Sequence, residues 1–133
     1  MKAVTSHVSR GIQLKTKINC IDNSGAKELE LIAVKAYKGK LRRLAKAGVG
    51  DVVVCSVKKG KEKIRKTVVY AVIVRQRKEY RRYDGTRIKF TDNAAVLVNP
   101  KTFEPTATEI RSVIAKEAVE RFSPIGKIAS MVL

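Results

Sequence analysis

Apolar residues occur in short strand-like runs along most of this chain. Clusters of turn-forming residues, such as Asp22-Asn23-Ser24-Gly25, separate the runs. The predicted strands cover 18–21, 29–34, 52–57, 68–74 and 88–98, the last with a bend near 92–93. No amphipathic helix long enough for a parallel crossover lies between them, so they predict an antiparallel meander. The predicted fold is therefore mainly β, a small closed five-stranded antiparallel barrel with a short helical C-terminal segment.

After Pro105 the apolar spacing changes from that of strands to that of a helix. Ile114, Ala118 and Phe122 recur every four positions, which predicts one amphipathic helix over 111–122. Ser112 has the side chain expected of its N-cap.

The end of this helix and the tail behind it carry further expectations. Glu117 and Arg121 are spaced as an i,i+4 ion pair, and Pro124 is expected to stop the helix. The apolar tail 125–133 is too short for a stable isolated helix, so it is expected to dock on the barrel or on a partner. The residues expected to contact a protein partner are Phe122, Ile125, Ile128 and Met131.

The length of 133 residues suits one domain whose core needs neither disulfides nor metals. We expect residues 1–104 to form the barrel with an N-terminal extension and basic loops, and 105–133 to form the C-terminal helical segment and tail. Cys20 and Cys55 have only His7 as a further soft ligand, so no zinc site, and no other cofactor, is expected. Both cysteines are expected to be small buried residues.

Hydropathy argues against a membrane or secreted protein. The longest apolar run, Val68 to Val74, is far shorter than the roughly 20 residues of a spanning helix. The N-terminal 20 residues have scattered charges and no apolar core typical of a secretory signal. We expect an intracellular protein without a membrane partner.

Charge is the outlying property of the composition. The chain has 29 Lys and Arg against 12 Asp and Glu, a formal net charge of +17. Such an excess disfavours a compact state by self-repulsion, and a polyanion relieves it. Nucleic acid is the first candidate, because basic side chains release condensed counterions when they bind phosphates.

The positive residues concentrate in four segments in or beside predicted loops. Segment 35–46 has six and no acid, 58–66 has six against one, 75–82 has five against one, and 87–89 continues the third. A single basic run is commonly just a solvated surface. Four such runs favour a shared polyanionic partner, because a rigid barrel can present them together. Segment 58–66 is expected to be a flexible loop. The candidate RNA-binding residues in the second and third segments include Lys59, Lys61, Lys63, Arg75, Arg77 and Lys78.

Segment 79–89 predicts a hairpin. A loop of Tyr83-Asp84-Gly85 with Gly85 in the left-handed conformation sorts the two faces better than a two-residue turn. Tyr80 then pairs with Ile88 on one face, while Glu79 pairs with Lys89 and Arg81 with Arg87 on the other. Two opposed arginines destabilise a hairpin unless an anion lies between them, and a phosphate fits there. Tyr80 and Tyr83 are suited either to stacking on unpaired bases or to packing at a strand edge.

Catalysis has little support in the sequence. His7 has no recognisable nucleophile or second base around it, and the acids are scattered. Gly48-Val49-Gly50-Asp51 lacks the Lys and Ser or Thr of a phosphate-binding loop. We expect a protein that is not an enzyme.

A motif of many positions spans residues 71–97. It consists of a small residue, three aliphatics, an Asp-Gly pair, an aromatic, an Asn and a final aliphatic pair: Ala71, Val72, Ile73, Val74, Asp84, Gly85, Phe90, Asn93, Val96 and Leu97. This motif resembles the signature of the large-subunit ribosomal protein fourteen family. Segments 18–29, 38–61 and 116–130 resemble its archaeal and eukaryotic form, so the likeness covers nearly the whole chain beyond residue 11.

The resemblance implies a five-stranded barrel in the cytoplasmic ribosome that binds large-subunit ribosomal RNA at the face meeting the small subunit. It also implies contacts with small-subunit RNA and with neighbouring ribosomal proteins, and it makes a subunit anti-association factor a candidate partner. By carry-over, the RNA-binding residues are Lys38, Lys40, Arg42, Arg43, Arg81, Arg82 and Arg87. One departure concerns Arg111-Ser112, where the family commonly has Gly-Pro before the C-terminal helix.

Two other hypotheses explain parts of the same pattern. A free barrel-fold RNA-binding module or RNA chaperone would have the same charge and strands. A nuclease would require clustered carboxylates for metal ions.

Overall fold

Five strands close into the barrel that the apolar pattern predicts. The structure is a computed structural model that describes residues 2–133. Its strands are β1 (Ile12–Gln13), β2 (Lys17–Cys20), β3 (Ala26–Val34), β4 (Lys46–Ala47), β5 (Val52–Gly60), β6 (Val68–Arg75), β7 (Tyr80–Arg81), β8 (Arg87–Ile88), β9 (Ala94–Val98), β10 (Ile110–Ile114) and β11 (Ala129–Val132). Its helices are α1 (Lys116–Arg121) and α2 (Ser123–Ile128). The barrel order is β2-β3-β5-β6-β9, so the predicted fold class is confirmed.

The barrel closes through a parallel pair. Consecutive neighbours along the meander are antiparallel, and β2 and β9 therefore run in the same direction because the number of strands is odd. Their register places Asn19 beside Ala94 and Cys20 beside Ala95. The predicted strand 88–98 is accordingly two strands, since the bend expected near 92–93 separates β8 from β9.

Strands β6 and β9 form the centre of the core. Residues 71–74 and all of β9 are buried without the alternation of a half-exposed strand. One face of these strands points into the barrel, and the C-terminal segment covers the other, where the amide of Ala115 donates to the carbonyl of Val74 at 3.0 Å. Burial on both faces explains the continuous aliphatic runs.

The helix predicted over 111–122 is wrong in its first half. Residues 110–114 form strand β10, which pairs in parallel with β11 at the end of the chain. Helix α1 begins only at Lys116, with Ala115 as a cap that lacks a side-chain hydrogen bond, and Ser112 is not an N-cap. The spacing of apolar residues within a short segment carries no information about a strand partner almost twenty residues later. The prediction failed for this reason.

The second half of the C-terminal segment also differs from the prediction. Pro124 separates two helices, because it lies in the first turn of α2, where a missing amide hydrogen costs nothing. Glu117 and Arg121 do not form an ion pair. The Nη1 atom of Arg121 instead lies 3.2 Å from Oδ1 of Asp51. The i,i+4 pair of α1 is Lys116 with Glu120, at 3.6 Å.

The tail docks on its own chain, through α2 and β11. Phe122 and Ile125 are buried in the core, which corrects their expected role as partner contacts. Ile128 is half-buried, whereas Met131 is exposed over 60% of its surface.

Cys55 is buried as expected, and Cys20 is half-buried with its thiol 3.3 Å from an Asp22 carboxylate oxygen. Burial raises the pKa of both thiols to about 12, and for Cys20 the Asp22 carboxylate adds to the effect. Within residues 2–133, no three His, Cys, Asp or Glu side chains are grouped to hold a metal ion. The helices of this described range are too short and too polar to cross a membrane.

Candidate RNA-binding surface

The predicted hairpin is confirmed in register and turn. Tyr80 lies opposite Ile88, and Arg81 lies opposite Arg87. The Gly85 amide donates to the Arg82 carbonyl at 3.0 Å, and Gly85 has a φ of 88°. Only glycine adopts that conformation without strain, which explains the Asp-Gly sequence.

The Asp84 carboxylate stabilises the turn from inside the loop. It accepts hydrogen bonds from the hydroxyl of Thr86 at 2.7 Å and from its amide at 3.0 Å. These bonds lower the pKa of Asp84 below its ordinary value. The loop is thus held by its own side chains, and its shape requires no bound partner.

On the charged face of the hairpin, an acid pairs with one of the two opposed arginines. Arg81 and Arg87 are both exposed, and Arg87 donates to a Glu79 carboxylate oxygen at 2.8 Å. The predicted pairing of Glu79 with Lys89 does not form. Arg81 has no acidic partner among the described residues, so the hairpin presents an uncompensated guanidinium to solvent.

Arg82 faces inward instead, towards a buried carboxylate. Its Nε lies 2.7 Å from Glu117 Oε1, and its Nη2 donates to the carbonyl of Leu133 at 2.8 Å. Glu117 also accepts hydrogen bonds from the Tyr80 hydroxyl at 2.6 Å and the Ser6 hydroxyl at 2.9 Å. The side chain of Glu117 is only 1% exposed. We call Ser6, Tyr80, Arg82 and Glu117 the Glu117 network.

Ionisation within the Glu117 network is governed by burial and by these hydrogen bonds. Burial alone would raise the pKa of Glu117, but the bonds from Arg82 and Tyr80 outweigh it and hold the pKa below its ordinary value. Burial, together with the adjacent carboxylate, raises the pKa of the Tyr80 phenol. The network therefore contains a buried ionised pair and a neutral phenol, which fix the hairpin against α1 and the end of the chain.

Arg75 is a second arginine that the structure turns inward. Its guanidinium binds Asp92 at 2.9 Å, the Val113 carbonyl at 3.1 Å and the hydroxyl of Ser112. Its side chain is only 12% exposed. Sequence reasoning missed this role because charge alone does not distinguish a solvated arginine from one that joins two parts of a fold.

The loop 35–46 contains four exposed basic residues from the predicted RNA-binding set. Lys38, Lys40, Arg42 and Arg43 are exposed, and none has an acidic partner within residues 2–133. The loop lacks regular secondary structure until β4, and Leu41 is exposed over 92% of its surface. Sequence reasoning assigned this loop from charge alone and did not identify its exposed leucines.

The segment 61–67 is an ordered turn, which corrects the expected flexible loop. The amides of Ile64 and Arg65 donate to the Lys61 carbonyl at 3.1 and 3.0 Å, and the Lys66 amide donates to the Val57 carbonyl at 2.9 Å. All six basic residues of 58–66 are exposed, including the predicted RNA contacts Lys59, Lys61 and Lys63. The Lys59 ammonium lies 2.9 Å from a Glu28 carboxylate oxygen.

The barrel presents the basic segments at two places. Strand register brings the ends of β3 and β6 together, so loop 35–46 and the hairpin, with the exposed Arg77 and Lys78 at its base, share one end. The turn 61–67 follows the far end of β5 and lies at the opposite end of the ladder. The expectation of a single joint surface is thus corrected to two.

Two comparisons relate this chain to known proteins. A family model described as "Ribosomal protein L14p/L23e" matches residues 11–133. The chain is 50% identical over 133 residues to "Large ribosomal subunit protein uL14" of Thermoplasma volcanium, covering 100% of both chains. It is 48% identical over 132 residues to the protein of the same name from Methanococcus vannielii, covering 99% of both.

Proposed function

This chain belongs to the ribosomal protein L14p/L23e family, and on that premise we propose that it binds large-subunit ribosomal RNA through its exposed basic segments. Family membership makes it a structural protein of the large ribosomal subunit in the cytoplasm and not an enzyme. The resemblance inferred from residues 71–97 is confirmed.

The observation that carries the RNA-binding proposal is the exposed pair of arginines on a fixed hairpin. Arg81 and Arg87 are opposed in register, and only Arg87 has an acidic partner among the described residues. The Glu117 network anchors the hairpin that carries both arginines to the core of the protein. Two arginines opposed on an ordered hairpin can bind one phosphate without the cost of ordering the backbone that carries them.

The proposed RNA contacts divide by position on the barrel. At the hairpin end they are Lys38, Lys40, Arg42, Arg43, Arg77, Lys78, Arg81 and Arg87, and at the opposite end they are Lys59, Lys61 and Lys63. Arg75 and Arg82 support this surface from beneath, because their guanidiniums are bound to buried or half-buried acids. Phosphate contacts of this kind position RNA without reading its sequence.

We also propose that the end of the chain contributes protein contacts and that the basic face contributes to the intersubunit face. Met131, Val132 and Leu133 are exposed apolar residues in and after β11, next to the half-buried Ile128. Such a patch suits a neighbouring ribosomal protein or a factor that keeps the subunits apart. Small-subunit RNA is the proposed partner across the interface.

The test is sedimentation of ribosomes from cells that express variants of the full chain. The double reversal Arg81→Glu with Arg87→Glu is expected to displace the protein from the large subunit, with the displacement increasing after a high-salt wash. The matched control is Arg111→Glu with Lys127→Glu, which changes net charge equally at two exposed residues outside the basic segments. Normal retention of the hairpin variant would refute the proposed RNA contact of the hairpin. Loss of the wild-type protein from washed subunits would favour the hypothesis of a free RNA-binding module.

A further inference from the structure

An apolar groove crosses the outside of the barrel near the 61–67 turn. It has a volume of about 480 Å³ and is lined by the start of β6, the end of β9 and the residues that follow it. Val68, at the start of β6, is exposed over 62% of its surface, which is unusual for a valine in a barrel strand. Ile64 and Pro100 line the groove as well. The proposed RNA contacts above do not use this feature.

Lysines lie along both sides of the groove. On one side the Lys35 ammonium is 3.2 Å from the Pro100 carbonyl and 5.6 Å from the centroid of the Tyr70 ring. On the other side Lys61 and Lys63 line an adjoining depression that shares Ser24 and Ile64 with the groove. Glu62 lines the same depression as the two lysines. The Asp22 carboxylate at the groove already accepts from the amides of Ser24 and Leu97, at 3.0 and 2.8 Å.

Two polar groups at the groove have free hydrogen-bonding capacity. Within residues 2–133 the Tyr70 hydroxyl has no hydrogen-bond partner, and the same holds for the amide nitrogen of Asn99. The side-chain oxygen of Asn99 already accepts from the Lys101 amide at 3.0 Å, which fixes the direction of the carboxamide.

We propose that this groove binds the base of one unpaired ribosomal RNA nucleotide, with the phosphates on either side of it held by the flanking lysines. The inference rests on the proposed RNA-binding function and adds a base site to a surface otherwise made of phosphate contacts. An unpaired base has an apolar face for the aliphatic floor and the Tyr70 ring, and an edge that accepts from Tyr70 and Asn99. Lysines on both sides match a backbone that enters and leaves the groove.

The favoured ligand differs from an apolar side chain of a neighbouring protein in charge and polarity. An aliphatic anchor fills the groove but leaves the Tyr70 hydroxyl and the Asn99 amide without partners. A protein segment therefore needs acidic residues on both sides of its apolar anchor to match the site. A peptide of that composition is the competitor of RNA in the test.

The test is a titration of the full chain with single-stranded hexauridylate, followed by the methyl NMR signals of Val68, Val69, Leu97 and Val98. The same hexamer without bases is the matched probe. We expect the groove methyls to shift with hexauridylate only. The substitution Tyr70→Leu should weaken hexauridylate binding about tenfold, the order of one lost base–aromatic stack. Val68→Ser should weaken it severalfold, whereas Ile32→Ser, which changes an exposed aliphatic residue outside the groove, should leave it unchanged.

Three results would overturn the proposal. Equal shifts with the base-free hexamer would show that only phosphates are recognised. Shifts that occur only with an acidic peptide carrying Leu and Phe would make the groove a protein-docking site. Neither of these affects the RNA-binding function, whereas failure of hexauridylate to bind anywhere on the wild-type protein at low salt would remove both proposals.

Discussion

The hairpin 80–88 and the loop 35–46 carry similar charge but hold it differently. In the hairpin, Arg82 is bound inside the protein, and Arg87 has an acidic neighbour at 2.8 Å. In the loop, four basic side chains have no acidic partner in the described chain, and no ladder fixes the backbone before β4. The hairpin is fixed by a strand pair and a buried ion pair, whereas the loop has local turn bonds such as that from the Arg43 amide to the Lys40 carbonyl at 3.1 Å.

The arginine-rich segments therefore contain an inner and an outer set of charges. Arg75 and Arg82 are bound to acids within the fold, and Arg81 and Arg87 are exposed. Substitutions in the first set should therefore affect the free energy of unfolding, and substitutions in the second should affect RNA binding.

The largest expected effect comes from Glu117→Ala. The change removes the buried carboxylate and leaves the Arg82 guanidinium and the Tyr80 hydroxyl without their partner, which costs about 3–5 kcal/mol of unfolding free energy. Urea denaturation followed by circular dichroism measures it. The control is Glu120→Ala in the same helix, which breaks the pair with Lys116 and two hydrogen bonds from Thr5 at the surface and should cost about 1 kcal/mol. Similar losses for both variants would show that the Glu117 network does not stabilise the fold.

A comparison of neighbouring arginines should give the next largest effect. Arg82→Ala is expected to lower the unfolding free energy by about 2–3 kcal/mol, because a charged hydrogen-bond pair is removed from a buried site. Arg81→Ala should change it by less than about 0.5 kcal/mol, because the side chain is exposed. RNA-binding measurements on the same two proteins should show weaker binding for Arg81→Ala. A reversed ranking of unfolding free energies would contradict the inner and outer assignment.

The pH dependence of stability should show a smaller effect of the same carboxylate. The pKa of Glu117 is lowered in the folded protein, so its stabilisation is present above the unfolded value of about 4.5 and is lost as pH falls through the folded value. The wild type should therefore lose more stability than Glu117→Gln between pH 6 and pH 3, as followed by thermal melts at each pH. Asp84 and Glu28 also have lowered pKa values, but they are present in both proteins and cancel. Parallel curves would refute the prediction.

The smallest effect on the fold is expected from the loop. Replacing Lys38, Lys40, Arg42 and Arg43 by Gln should leave the unfolding free energy within about 0.5 kcal/mol, because the four side chains are exposed. The slope of log affinity for RNA against log salt should become shallower by about one for each phosphate that the variant no longer neutralises. An unchanged slope would show that the loop does not bind phosphates.

The sequence predicted the barrel and the hairpin because their signals are local. Aliphatic runs, turn clusters and the Asp84-Gly85 pair each act within a few residues, and the family motif added the same architecture. The inward roles of Arg75 and Arg82 depend on acids 17 and 35 residues away. No spacing rule connects such pairs, so the sequence alone did not predict that these two arginines bind acids of the same chain.

The Glu117 network also has a consequence for the order in which the protein folds. It joins Ser6, near one end of the chain, to a helix residue 111 positions later, and Arg82 reaches the Leu133 carbonyl. Interactions between such distant positions form late, because a long chain must first be brought together. During synthesis the hairpin therefore emerges well before the residues that hold it in place. A nascent chain that has not yet released Glu117 carries its arginines on a hairpin that is not yet anchored to α1.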